Sequence, residues 1–138
     1  MKGEIWGMEK KVIFTDKAPR PGGTYSQAIK IGNMVYVAGI TPHELNSTRI
    51  YAPGDVKAQT ALVLGYIQHI LEAAGSSMDR IVKVTSFVAD SERFAAYEAA
   101  YRQFFKQDPP ARSTVEIAKF PSFVEGMVVE IECVAYCG

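Results

Sequence analysis

Residues 108–117 read Asp-Pro-Pro-Ala-Arg-Ser-Thr-Val-Glu-Ile, "DPPARSTVEI". Two adjacent prolines cannot continue a helix, so Pro109 and Pro110 end whatever precedes them. From Ala111 onward the residues alternate as a strand requires. Arg112, Thr114 and Glu116 share one face, and Ser113, Val115 and Ile117 share the other. If Val115 and Ile117 mark the core side, Arg112, Thr114 and Glu116 point away from it. A sheet with an arginine and a glutamate on its outer face needs an explanation, and the rest of the chain supplies the frame.

Upstream, "IVKVTSFVA" (81–89) reads as a strand. Asp90 or Ser91 then caps a helix carrying Phe94, Tyr97, Tyr101, Phe104 and Phe105 on one side, which the prolines terminate. Further back, Asp55 offers an N-cap. Val56, Thr60, Val63, Leu64, Ile67, Ile70, Leu71 and Ala74 follow at helical spacing, and Gly75 stops the pattern, predicting a helix over 56–74. Residues 10–14, "KKVIF", make a first strand. The stretch 16–27 is a loop punctuated by Pro19, Pro21, Gly22 and Gly23. Residues 28–40 make two strands about a turn at Gly32-Asn33, and 41–54 is a polar excursion. Downstream, 111–120 and 127–137 are the last two strands, expected as antiparallel partners through the loop 121–126.

The element order is therefore β-β-β-α-β-α-β-β, and two amphipathic helices can cover only one face of a sheet of about six strands. On the last strand Val129, Ile131 and Cys133 are expected to face the helices. Glu130, Glu132, Val134 and Tyr136 then share the far face, joined by Tyr36. A face mixing aromatics with arginine and glutamate fits an interface or a site better than a plain solvated surface.

A chain of 138 residues supports one domain with a sizeable core. Residues 10–138 are taken as that domain and 1–9 as an N-terminal extension, which Trp6 is expected to dock on a neighbour. With 48% apolar and 22% charged residues the chain is globular rather than disordered. Fifteen basic residues balance fifteen acidic ones, which argues against a general nucleic-acid or membrane-surface binder. No apolar run approaches the roughly 20 residues of a membrane span. The first residues lack a signal-peptide core, so a cytoplasmic location is expected. Cys133 and Cys137 on one strand lie about 13 Å apart at roughly 3.3 Å per residue. That is too far for a disulfide. Two cysteines alone are too few ligands for zinc, and neither His43 nor His69 has a partner at metal spacing, so no metal is expected.

The segments "TYSQAIKIGNMVYVAGITP", "LEAAGSSMDRIVKVTSFVAD", "FAAYEAAYRQFF", "PPARSTVEIA" and "VVEIECVAY", in this order, resemble the reactive intermediate deaminase family. That family is also called RidA or YjgF, and its members also carry the names endoribonuclease L-PSP and translation initiation inhibitor. The likeness runs from about residue 10 to 136. It implies an α+β, chorismate-mutase-like fold: a curved six-stranded mixed sheet with two helices on one face. It also implies a homotrimer with clefts between subunits, and hydrolysis of enamines and imines such as 2-aminoacrylate to 2-oxo acids and ammonia without a cofactor. Matched residue by residue, the substrate-clamping arginine falls on Arg112, the water-orienting glutamate on Glu130, the loop tyrosine on Tyr25 and the cleft glycine on Gly39. The chain departs from the family at Thr114, where cysteine is frequent, and at Ala38-Gly39-Ile40, where Ser-Gly-Gln is frequent. It departs again at Glu98, where asparagine is common. Thr114 still offers its backbone N–H, whereas a Glu98 pointing into the cleft would repel a carboxylate.

The residue chemistry agrees with this assignment. An arginine can hold a substrate carboxylate through two parallel N–H···O bonds. A carboxylate across the cleft can take a proton from attacking water, and a neighbouring guanidinium would keep Glu130 ionised for that role. Tyr25 would close the cleft or bond the substrate. Other readings compete with these. Arg112 and a glutamate can be a plain cross-strand ion pair, Glu132 can be structural, and Tyr25 can simply pack. Three functions are carried forward: an imine deaminase of the 2-iminobutanoate/2-iminopropanoate type, a non-catalytic trimeric module binding small carboxylates, and an endoribonuclease. Neutral charge and the lack of paired histidines weigh against the last.

Overall fold

The computed structural model describes residues 4–5, 8–121 and 124–138, with side chains from residue 8 onward. Two short strands, β1 (Glu4–Ile5) and β2 (Met8–Glu9), pair antiparallel as a separate two-stranded sheet. Trp6 lies outside the described residues. The main sheet contains β3 (Lys11–Ile13), β4 (Ala28–Ile31), β5 (Met34–Ile40), β6 (Ile81–Val88), β7 (Ala111–Glu116) and β8 (Val129–Tyr136). Its order is β3-β4-β5-β8-β6-β7, and β6–β7 is its parallel pair. Helices α1 (Val56–Ala73) and α2 (Phe94–Arg102) lie on one face, as an α+β fold of this kind requires. No helix among the described residues is long and apolar enough to cross a membrane.

Local chemistry explains the first half of the chain. Gly32 takes a positive φ of 58° to turn β4 into β5. The Asp55 side chain accepts from Ala58 N–H at 3.0 Å and starts α1. One stripe of α1 (Val63, Leu64, Ile67, Ile70 and Leu71) is wholly buried against Val35, Val84, Val129, Ile131 and Ala135 of the sheet. Past the helix, Gly75 adopts φ 84° and ends it. Cys133 and Cys137 are unpaired, and burial followed by the Glu132 charge pushes the Cys133 thiol up to about 12.

Three expectations need correction. First, α2 stops at Arg102, well before Pro109. Phe105 turns in to stack on Tyr101 with ring centroids 4.6 Å apart, and this packing ends the helix before the prolines act. A 3-10 turn at Ser91–Arg93, capped by Asp90, precedes α2. Second, the last two strands are not neighbours. Strand β8 inserts between β5 and β6, while β7 lies at the sheet edge, parallel to β6. A hairpin would have left β7 and β8 adjacent at the sheet edge, whereas between β5 and β6 the backbone of β8 is paired antiparallel on both sides. Third, the faces of β7 are reversed. In register, Arg112 sits beside Val84 and Thr114 beside Ser86, both on the helix face. Ser113 and Val115 fall on the far face beside Thr85 and Phe87. Val115 is exposed, so its apolar side chain does not mark the core side of β7. The faces of β8 are as expected: Val129, Ile131 and Cys133 are buried, with Glu130 and Glu132 opposite.

The 41–54 excursion is tied down by buried polar groups. Gln59, wholly buried on α1, donates from Nε2 to the carbonyls of Tyr51, Ala52 and Gly126, and accepts from Val128 N–H through Oε1. The Tyr66 hydroxyl donates to the His43 carbonyl at 2.7 Å. Buried Gln27 does the same for the first loop, donating to the carbonyls of Thr15, Ala18 and Pro19.

Candidate active site

Arg112 does not face Glu130. Its guanidinium lies under α2, with Nη1 2.8 Å from Glu98 Oε1. The rings of Tyr101, Tyr97 and Phe94 surround it at 4.6, 5.4 and 5.8 Å from the guanidinium carbon to each centroid. These three aromatics sit at i, i+3 and i+7 on α2, so one helical stripe forms a wall for the cation. The Glu98 contact is a close ion pair, and its Oε1 is shielded from water. Both side chains are about a quarter exposed, Arg112 at 22% and Glu98 at 27%. Burial opposes the Arg112 charge. The Glu98 contact and the tyrosines outweigh it and hold the guanidinium pKa above its ordinary value.

The tyrosine wall is neutral. Burial raises the Tyr97 pKa despite the bond its hydroxyl makes to Ser86 Oγ at 2.5 Å, with Thr114 also within reach. Burial likewise raises that of Tyr101, whose hydroxyl lacks an aligned partner. Thr114 therefore belongs to the same cluster as Arg112, on the helix side of β7.

Glu130 belongs to a second cluster on the other face. It sits opposite Phe87, across β6 from β7, and Gly39 lies directly against it. A methyl group at Gly39 would overlap the Glu130 carboxylate, so glycine there leaves room for the acid. The guanidinium expected to keep Glu130 ionised is not its neighbour. Burial first, then the Glu132 charge, raise the Glu130 pKa. Tyr25 stands apart, 54% exposed. Its hydroxyl accepts from Gly22 N–H at 3.2 Å, and it makes no hydrogen bond to Arg112, Glu98 or Glu130.

One chain thus brings together Arg112, Glu98 and Thr114, and separately Glu130 and Gly39, with the sheet between them. The aromatic stripe of α2 was visible in the sequence as a packing face. Its role around Arg112 was not, because that depends on which face of β7 meets it. His43, half-buried, accepts or donates at Nδ1 with Thr41 Oγ1 at 2.7 Å, and burial lowers its pKa. No cluster of metal-ligating side chains occurs among the described residues.

Comparison with known proteins identifies the family. The profile described as Endoribonuclease L-PSP matches residues 15–137. A RutC family protein of Pyrococcus abyssi is 44% identical over 129 residues, covering 94% of this chain and 98% of the relative. Among solved structures, RidA from the Antarctic bacterium Psychrobacter sp. superposes with TM-score 0.83 at 37% identity, covering 91% of this chain and 98% of that one. The structure of E. coli TdcF with bound serine superposes with TM-score 0.84 at 35% identity, covering 93% of this chain and 99% of that one. Sequence and fold agree along nearly the whole length, and the chain belongs to the endoribonuclease L-PSP family, the RidA/YjgF family that its segments resemble.

Proposed function

We propose that the protein is an imine deaminase, hydrolysing 2-iminobutanoate- and 2-aminoacrylate-type intermediates to 2-oxo acids and ammonia. The observation that carries this reading is Arg112, a permanently charged, partly open guanidinium held against a neutral aromatic wall. Such a group fixes a carboxylate through paired N–H···O bonds and so sets the position of the adjacent C=N carbon. Thr114 offers its backbone N–H beside the clamp. Water adds to the protonated imine, a proton passes to nitrogen, and the C–N bond breaks: R–C(=NH2+)–COO− plus H2O gives R–CO–COO− plus NH4+.

Glu130 is the proposed water-orienting base and Gly39 gives it room, with Tyr25 closing over the ligand. Burial and then Glu132 raise the Glu130 pKa, which makes its carboxylate a stronger base than an ordinary one. Because Glu130 and Arg112 lie on opposite faces of one sheet, the site is complete only where one subunit's Glu130 face meets another's Arg112 edge. We therefore propose a homotrimer. An uncovered apolar row supports it: Val12, Tyr36 and Val134 lie in register on the far face, with Val12 and Tyr36 65% and 49% exposed. Residues 10–138 act in this reading as one cytoplasmic domain with 1–9 as an extension, and no cofactor is required.

The test is ammonia release from 2-aminoacrylate or 2-iminobutanoate generated enzymatically in situ. Wild-type protein is expected to accelerate it; a rate equal to buffer, with a working deaminase as control, would sink the reading. The binding-module alternative draws on one observation, the Glu98 carboxylate already seated on Arg112. Oxo acids bound at Arg112 with no turnover of any imine would favour it. The family's nuclease name motivates a check of single-stranded RNA binding at low salt, where no binding is expected.

A further inference from the structure

We infer that Glu98 selects the charge of the ligand: it favours a zwitterion, with a cationic nitrogen beside its carboxylate, over a simple carboxylate anion. This rests on the proposal that Arg112 clamps the substrate carboxylate. The charges around the clamp are few. Phe94, Tyr97 and Tyr101 are uncharged. Glu98 is the one carboxylate in ion-pair contact with Arg112 among the described residues. Arg102 touches Glu98 Oε2 at 3.5 Å, but its side chain is 67% exposed and water screens it. Arg112 and Glu98 therefore make a pocket of about zero net charge.

A carboxylate arriving at Arg112 comes within a few ångströms of Glu98. In a partly buried site that like-charge approach is strongly unfavourable. A ligand with an ammonium or protonated imine next to its carboxylate answers both charges at once. Its cation also gives Glu98 a new positive partner as the incoming carboxylate takes up Arg112. The protonated imine is the form water attacks, so the reactive species is the one the pocket prefers. Hydrolysis removes that cation with the departing ammonia. The oxo acid left behind is a plain anion facing Glu98, so the same residue that favours substrate favours release of product.

Isothermal titration of the full chain with L-serine, L-glycerate and 2-oxobutanoate tests this. Glycerate is serine with a hydroxyl in place of its ammonium. In the wild type, serine is expected to bind about tenfold or more tighter than glycerate, a difference of about 1.4 kcal/mol per factor of ten. Glu98→Gln is expected to shift the serine-to-oxobutanoate affinity ratio about tenfold toward the oxo acid, while Glu98→Asp keeps the wild-type ratio. Equal binding of serine and glycerate by the wild type, an unmoved ratio in Glu98→Gln, or no binding of any probe would overturn the inference. Imine hydrolysis measured on the same preparations separates it from the underlying function. Turnover with an unmoved ratio removes only the role of Glu98; a shifted ratio without turnover removes only the deaminase.

Discussion

The two faces of the sheet have opposite designs. The helix face is closed by its own chain: α1 and α2 bury Val63, Leu64, Ile67 and Tyr97 completely, and even its charged pair, Arg112 and Glu98, is built within one subunit. The far face carries Glu130, Glu132, Tyr36 and Tyr136, with both tyrosines exposed and neither long helix packed over them. A site that draws on both faces cannot be finished by one copy. The proposed substrate anchor sits on the self-sufficient side, and the proposed water-orienting acid sits on the face that a single copy leaves open.

Substitutions on each face should separate these roles. The largest effect is expected for Arg112→Ala, with loss of about a hundredfold or more in imine hydrolysis, because truncating one member of a partly buried charge pair typically costs about 2–5 kcal/mol. Ammonia release under steady-state conditions measures it, and activity within about threefold of wild type would end the clamp assignment. Arg112→Lys should restore little, since an ammonium cannot form the paired bonds.

On the other face, Tyr36→Glu places a charge in the uncovered apolar row. It is expected to leave the subunit folded, dissociate the proposed trimer and abolish turnover together. Light scattering coupled to size exclusion reports this, and an active variant of unchanged mass would break the contrast between faces. Gly39→Ala should mimic loss of Glu130 by pushing its carboxylate aside, lowering turnover while Arg112-dependent serine binding persists. Inside the helix face, Gln59→Leu removes four hydrogen bonds to loop backbone. A melting curve should show a loss of about 2–4 kcal/mol from the unsatisfied carbonyls and the freed 41–54 segment.

The smallest effect concerns pH. Burial, then Glu132, raise the folded Glu130 pKa above its ordinary 4.5. The folded state thus holds this proton more tightly than the unfolded state does. Its contribution to stability is complete below about pH 4.5 and is lost as pH rises through the folded value. Glu130→Gln should therefore melt at the same or a slightly higher temperature than wild type at pH 7, lower its relative advantage at pH 4, and hydrolyse imines poorly at both. A variant less stable than wild type at pH 7 would show that Glu130 makes a compensating contact in the assembly.

Much of this was legible in the chain itself. The helical stripe from Val56 to Ala74, the Asp55 cap and the stop at Gly75 need only local periodicity, and all three hold. The β8 alternation was readable because β8 is central, with one face against helices and the other not. Strand β7 misled for the opposite reason. At an edge, Val115 can stay exposed, while Arg112 is drawn to the helix side by Glu98 and three aromatic rings. Periodicity of two says that residues 112 and 114 share a face, but not which face it is. The burial of Gln27 and Gln59 is not legible in the sequence, because a polar residue amid apolar neighbours gives no hint of the backbone carbonyls awaiting it.

The sequence by itself determined the order of the main-sheet strands and the two helices along the chain, the family and the candidate site residues, but not the short β1–β2 pair that precedes them. Local propensity and side-chain type settle such things within a few turns of chain. Only the tertiary structure decided that β8 lies between β5 and β6, that Arg112 meets Glu98 rather than Glu130, and that the two candidate clusters face opposite ways. Those outcomes depend on pairing between segments far apart in sequence, where the competition is among alternative edges and faces of comparable local fitness.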